Sequence, residues 1–84
     1  MRLDKYLKVS RLIKRRTIAN EACDAGRVLV NGKIARASYD VKENDLIEIN
    51  LGQKPLFVRV LKVAEHVSKD DAAELYAVEN HPGS

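Results

Sequence analysis

Arg11, Lys14, Arg15 and Arg16, running into Thr17, form the densest group of chemistry-bearing side chains in the sequence. Read on one helix, Arg11 stands three residues from Lys14 and four from Arg15, spacings at which like charges repel and weaken the helix. No acid lies between Lys5 and Thr17 to offset them. A folded protein gains nothing from such a cluster by itself. Phosphate reverses the sign, because neutralising a nucleic-acid backbone releases its condensed counterions. Lys14 to Thr17 are also expected at the start of a helix, where unpaired backbone N–H groups already favour an anion.

A charge run on a helix is more often a solvated face, so the wider distribution of charge decides. Residues 1–36 hold ten Lys and Arg, Arg2, Lys5 and Arg27 among them, against three acids, a net charge of +7. Residues 37–84 hold five bases against nine acids, a net charge of −4. Solubilising surfaces intersperse the two signs. Segregation along the chain favours a surface that attracts a polyanion.

A second basic group flanks a turn. Asn31-Gly32 between Val28-Leu29-Val30 and Lys33-Ile34 is the strongest two-residue hairpin signal, and a structural turn alone accounts for both residues. Arg27, Lys33 and Arg36 surround it with no acid from Ala25 to Asp40. The cationic surface is therefore expected to continue here, with Asn31 near its tip and Arg27 or Lys33 reaching RNA. Aromatic residues are few: Tyr6, Tyr39, Phe57 and Tyr76. That is little from which to build stacking platforms for single strands, so recognition is expected through the backbone and shape of structured RNA. Tyr6 and Phe57 are assigned to packing.

The remaining reactive side chains carry no motif. His66 and His81 stand alone, and Cys23 on a small-residue helix face is a packed hydrophobe with no partner for an internal disulfide. Asp70, Asp71 and Glu74 are acids on an exposed segment. There is no phosphate-cradling glycine loop, no dinucleotide motif and no metal-ligand spacing. Neither enzymatic activity nor a cofactor or metal is expected.

The elements that must position the basic residues follow from periodicity. Arg2 to Val9 reads as a short helix, with Leu3 and Leu7 on one face, Tyr6 paired with Leu3, and Asp4 in the first turn. A second helix is expected over about Lys14 to Ala25, burying a stripe of Ile18, Ala22 and Ala25 with Ala19 and Cys23 at its margin, and ending at Gly26. A β-hairpin over Val28 to Ala35 follows, then strands at Leu46 to Leu51 and Leu56 to Val63 separated by a Gly-Gln-Lys-Pro turn. Residues 69–75 are weakly helical, and 79–84 a flexible tail. The expectation is an α+β fold, a two-helix hairpin packed on a small, mainly antiparallel sheet. Its 84 residues allow one domain with a small core. No apolar run approaches the roughly 20 residues of a membrane span. The first residues are charged where a signal peptide is apolar, so a cytoplasmic location is expected.

Arg2-Leu-Asp-Lys-Tyr-Leu, Arg11, Lys14-Arg-Arg-Thr-Ile-Ala and Gly26-Arg-Val-Leu-Val-Asn-Gly-Lys, in that order, resemble the RNA-binding domain named after small-subunit ribosomal protein S-four, also called the αL motif. The resemblance covers roughly residues 1–50 and implies a basic face of two helices and a hairpin that grips structured rRNA or tRNA. On this basis residues 1–64 are taken as the RNA-binding domain and 65–84 as an acidic C-terminal extension. A free-standing copy of this length is similar to the RqcP family of bacterial ribosome quality-control factors, related to a longer small heat-shock protein that binds free large subunits. That likeness implies an adaptor on stalled large ribosomal subunits. It would contact 23S rRNA and P-site peptidyl-tRNA, support C-terminal alanine tailing by an RqcH-like factor, and be monomeric when free. Carried over by position, the contacts are Arg2, Asp4, Arg11, Lys14, Arg15, Arg16, Thr17, Lys33 and Arg36. Two other readings remain: a large-subunit recycling factor without a tailing role, or the RNA-binding subunit of an RNA-modifying enzyme.

Overall fold

The computed structural model describes residues 1–79. His81 and all of the expected tail except Glu79 lie outside the described residues. Helix α1 spans Leu3–Val9, and Leu3, Tyr6 and Leu7 are fully buried. It stops at Ser10, whose N–H bonds to Tyr6 O at 2.9 Å and whose hydroxyl donates to Leu7 O at 3.3 Å. Arg11 then takes a left-handed φ of +64°, and Ile13 N–H reaches back to Leu7 O at 3.1 Å. This reversal corrects the helical reading of the basic run. Arg11, Lys14 and Arg15 lie in the connection, Arg15 with extended backbone, and helix α2 begins only at Arg16.

Helix α2 spans Arg16–Asp24 and buries Ala19, Ala22 and Cys23. The expected stripe is rotated about its axis: Ile18 is 44% exposed and Ala25 is also at the surface. Small side chains face inward because α1 and the sheet lie close on that side. The end of α2 is a Schellman turn. Arg27 N–H bonds to Ala22 O and Gly26 N–H to Cys23 O, both at 3.0 Å, with Gly26 at φ +76°.

Five strands follow: β1 Val28–Val30, β2 Lys33–Ile34, β3 Leu46–Ile49, β4 Leu56–Val60 and β5 Tyr76–Glu79. They form one sheet in the order β2-β1-β3-β4-β5, with every neighbouring pair antiparallel. Asn31 at φ +53° and Gly32 at φ +84° make the tight β1–β2 turn. Strand alternation puts Val28, Val30, Ile47, Ile49, Val58 and Val60 in the core shared with the helices. Phe57 is buried on the opposite face, whereas Ile34 and Leu51 are exposed.

Strand β5, unassigned from sequence, follows a short 3₁₀ turn at Ala72–Leu75 and pairs Val78 with Val58 and Tyr76 with Val60. The Tyr6 hydroxyl, wholly buried, donates to Leu75 O at 2.7 Å and ties this last segment to α1. At the other end, residues 1–4 run beside 37–41. Leu3 N–H bonds to Tyr39 O at 2.8 Å, Asp4 N–H to Ala37 O at 3.2 Å, and Val41 N–H to Met1 O at 2.8 Å.

Candidate nucleic-acid interface

The site is organised by a buried acid. Asp4 is 2% exposed, and donors from four residues in two parts of the chain, 2–5 and α2, converge on its carboxylate. Arg2 approaches through Nε at 3.2 Å and Nη2 at 3.4 Å, one oxygen each. Arg16 approaches through Nε at 3.3 Å and Nη2 at 3.5 Å. Asn20 Nδ2 donates at 3.2 Å and the Lys5 backbone N–H at 2.8 Å. Burial alone raises the Asp4 pKa, but the bonds from Arg2, Asn20, Arg16 and Lys5 outweigh it and hold the group at about 2. The carboxylate is therefore ionised at neutral pH.

Asp4 lies below the surface, while Arg2 and Arg16 are about half exposed. Asp4 occupies one edge of each guanidinium and leaves the outward edge open, a geometry suited to bidentate phosphate contact. Thr17 and Arg16 line the same shallow hollow as Asp4 and Asn20. The adjoining N-terminus of α2 has no side-chain cap and no acid in its first turn, which leaves its free N–H groups to attract an anion.

The other residues singled out from sequence are spread over several places. Arg11 and Lys14 are exposed and line a groove with Lys8. Arg15 is exposed at the start of α2, and Lys5 Nζ lies 3.4 Å from Glu65 Oε1. Arg36 is exposed and precedes Ala37, the backbone partner of Asp4, so the chain brings it alongside the Asp4 cluster. Arg27 instead sits beyond α2, beside Ile18, Ala25 and Leu51. Lys33 is in β2 of the hairpin, opposite Val30. Asn31 has both ends of its side chain engaged: Nδ2 donates to Asp45 Oδ1 and Oδ1 accepts from Leu46 N–H, each at 3.0 Å. Its amide pins the hairpin turn to the start of β3.

Asn20 was missed by the sequence reading, although its position one turn after Arg16 on α2 is a usable signal. The buried Tyr6 ring cannot stack on a base. The Cys23 thiol is buried, and burial together with the charges of Asp4 and Asp24 pushes it up to about 11, so it carries little thiolate for nucleophilic work. Among the described residues no group of His, Cys, Asp and Glu has the arrangement of a metal site. No helix among them is long and apolar enough to cross a membrane.

Comparison with known proteins bears on the fold and the family. The S4 domain model matches residues 1–47. A protein of Streptococcus pneumoniae called RQC P-site tRNA stabilizing factor is 55% identical over 78 residues, covering 93% of this chain and 89% of its own length. The protein of the same description from Bacillus subtilis is 50% identical over 78 residues, covering 93% of this chain and 91% of its own. Among solved structures, trimeric heat shock protein 15 of Vibrio cholerae superposes with a TM-score of 0.87 at 28% identity, over 94% of this chain and 81% of that one.

Proposed function

The chain belongs to the S4 domain family and, within it, to the family of the RQC P-site tRNA stabilizing factors, and from that membership and the arrangement around Asp4 we propose that it is a non-catalytic RNA-binding adaptor of ribosome-associated quality control. It grips 23S rRNA and the P-site peptidyl-tRNA of stalled large ribosomal subunits. By holding that tRNA in place it supports C-terminal alanine tailing of the nascent chain by an RqcH-like factor in the cytoplasm, and it is monomeric when free. The RNA-gripping unit is residues 1–64.

The observation that carries this reading is the convergence of Arg2 and Arg16 on one buried carboxylate. Two guanidiniums, one from the start of each helix, are fixed at a set spacing before RNA arrives. Their side-chain entropy is lost on folding and need not be lost on binding. Asp4 also neutralises part of the repulsion between them, so the pair stays close in the free protein. Arg11, Lys14, Arg15, Thr17, Lys33 and Arg36 extend the contact to neighbouring phosphates, and the uncapped start of α2 adds backbone donors. The work is positioning, with no bond made or broken by the protein.

Pelleting with large subunits that carry peptidyl-tRNA tests the grip. The wild-type chain is expected to co-sediment at physiological salt, with four to six phosphate contacts giving a log–log salt slope of roughly −3 to −5. Arg16→Ala should leave it in the supernatant with its circular dichroism intact. Unchanged pelleting of Arg16→Ala would overturn the assignment, and loss of association on nuclease treatment would separate RNA from protein partners. Deletion of the gene should abolish alanine tails; intact tails would leave a recycling role.

A further inference from the structure

A groove of about 460 Å³ opens between the end of α1 and the segment before the 3₁₀ turn. Lys8, Arg11 and Lys14 form one wall, and Glu65, His66 and Val67 the other. We propose that this groove is a second RNA-backbone subsite, in which Lys8 and His66 join Arg11 and Lys14 to extend the grip from the Asp4 cluster onto the C-terminal extension. The proposal rests on the RNA-binding reading above and adds the residues on which it says nothing.

Four observations carry it. Lys8, Arg11 and Lys14 have no ion pair or side-chain hydrogen bond among the described residues. Three cations gathered around one concavity repel each other unless an anion enters it. The one acid in the lining, Glu65, is drawn to Lys5 at 3.4 Å. The backbone at Arg11 is held at φ +64°, a conformation non-glycine residues seldom adopt, between α1 and the Ile13 N–H bond to Leu7 O. Such conformations gather where the fold must aim a side chain. Finally, the opposite wall is anchored. Val67 packs against the core, and Leu75, beyond it, is bonded to the Tyr6 hydroxyl. The groove is thus a formed cleft with cationic lining, and His66 adds an imidazole N–H donor to it.

The test uses the full chain and large subunits carrying peptidyl-tRNA, pelleted across a range of KCl concentrations. Lys8→Ala/His66→Ala is expected to bind about fivefold to tenfold more weakly, with the salt slope reduced in magnitude by roughly 0.7 to 0.9 for the lost lysine contact. Both side chains are exposed, so the thermal melt should not move. Lys54→Ala, in the β3–β4 turn, removes the same formal charge and should bind like wild type. Equal binding by wild type and Lys8→Ala/His66→Ala overturns the subsite, as does an equal loss in Lys54→Ala, which would mean net charge alone. If Arg2→Ala/Arg16→Ala still releases the protein in those cases, the adaptor reading stands without the groove. If neither pair of substitutions weakens binding, both fail. Competition by a poly-glutamate peptide as effective as that by RNA would reassign the groove to an acidic protein and overturn it too.

Discussion

Arg16 Nε stands 3.3 Å from Asp4 Oδ2 across twelve residues of chain, with the carboxylate 3% exposed and the guanidinium 47% exposed. An exposed ion pair of this length is worth little. This one has its anion below the surface, bonded also to Arg2, Asn20 and the Lys5 N–H. The carboxylate works as a hub that sets where two basic side chains reach the solvent.

Arg16→Lys separates charge from geometry. A lysine keeps the charge but cannot hold Asp4 with one edge and a phosphate with the other. The variant should bind large subunits about tenfold more weakly than wild type while melting within about 2 °C of it. Binding equal to wild type in a pelleting titration would mean that charge alone suffices.

Asp4 gives a pH dependence whose sign is fixed. Its pKa is about 2 in the folded chain against the usual 3.8, so the unfolded chain takes up the proton first as pH falls. The stabilising contribution is complete above about pH 5 and is lost as pH drops from about 4 through 2. Linkage makes it about 2 kcal/mol. Urea titrations of wild type and Asp4→Asn at a series of pH values should differ by about that amount at pH 7 and converge near pH 2. A constant difference across the range would show that the ionised form is not what matters.

Tyr6→Phe removes the bond to Leu75 O and leaves the ring in place. One buried hydrogen bond is worth roughly 1 kcal/mol. The loss should be local: amide exchange at β5 should speed up by about fivefold while that of β1 and β3 is unchanged. Uniform acceleration across the sheet would show that the last segment is not separately tied down.

Gly26→Ala tests the end of α2. An added Cβ would meet only Ile34 Cδ1 at 3.7 Å, an ordinary contact. The cost is conformational, about 1 kcal/mol for an L side chain at φ +76°. A thermal melt lowered by several degrees is expected, and an unchanged melt would show that the turn relaxes to another form.

How much of this was legible beforehand differs by element. Leu3, Tyr6 and Leu7 announce α1 by spacing, Asn31-Gly32 announces the hairpin, and Gly26 the end of α2, because each rests on contacts between near neighbours in the chain. Strand β5 was not legible. Tyr76 to Glu79 is too short for an alternating signal, and its pairing with β4 joins residues 16 to 22 apart in the chain, from Val60 with Tyr76 to Phe57 with Glu79. The direction of α2 was misjudged for a related reason: Ile18 is the most apolar residue on it, but which side faces inward is set by the elements packed there.

For the interface the division is similar. The sequence determined the excess of positive charge, its restriction to residues 1–36, and the set of side chains able to meet phosphate, since composition and order are sufficient for those. Only the folded chain decided which of them act together. Ending α1 at Ser10 and turning the chain at Arg11 removed the basic run from one helix face and distributed it between the Asp4 hub and the Lys8 groove. Asp4, a lone acid in a basic stretch, became their organiser because burial left its charge no water and the fold supplied four donors in place of it.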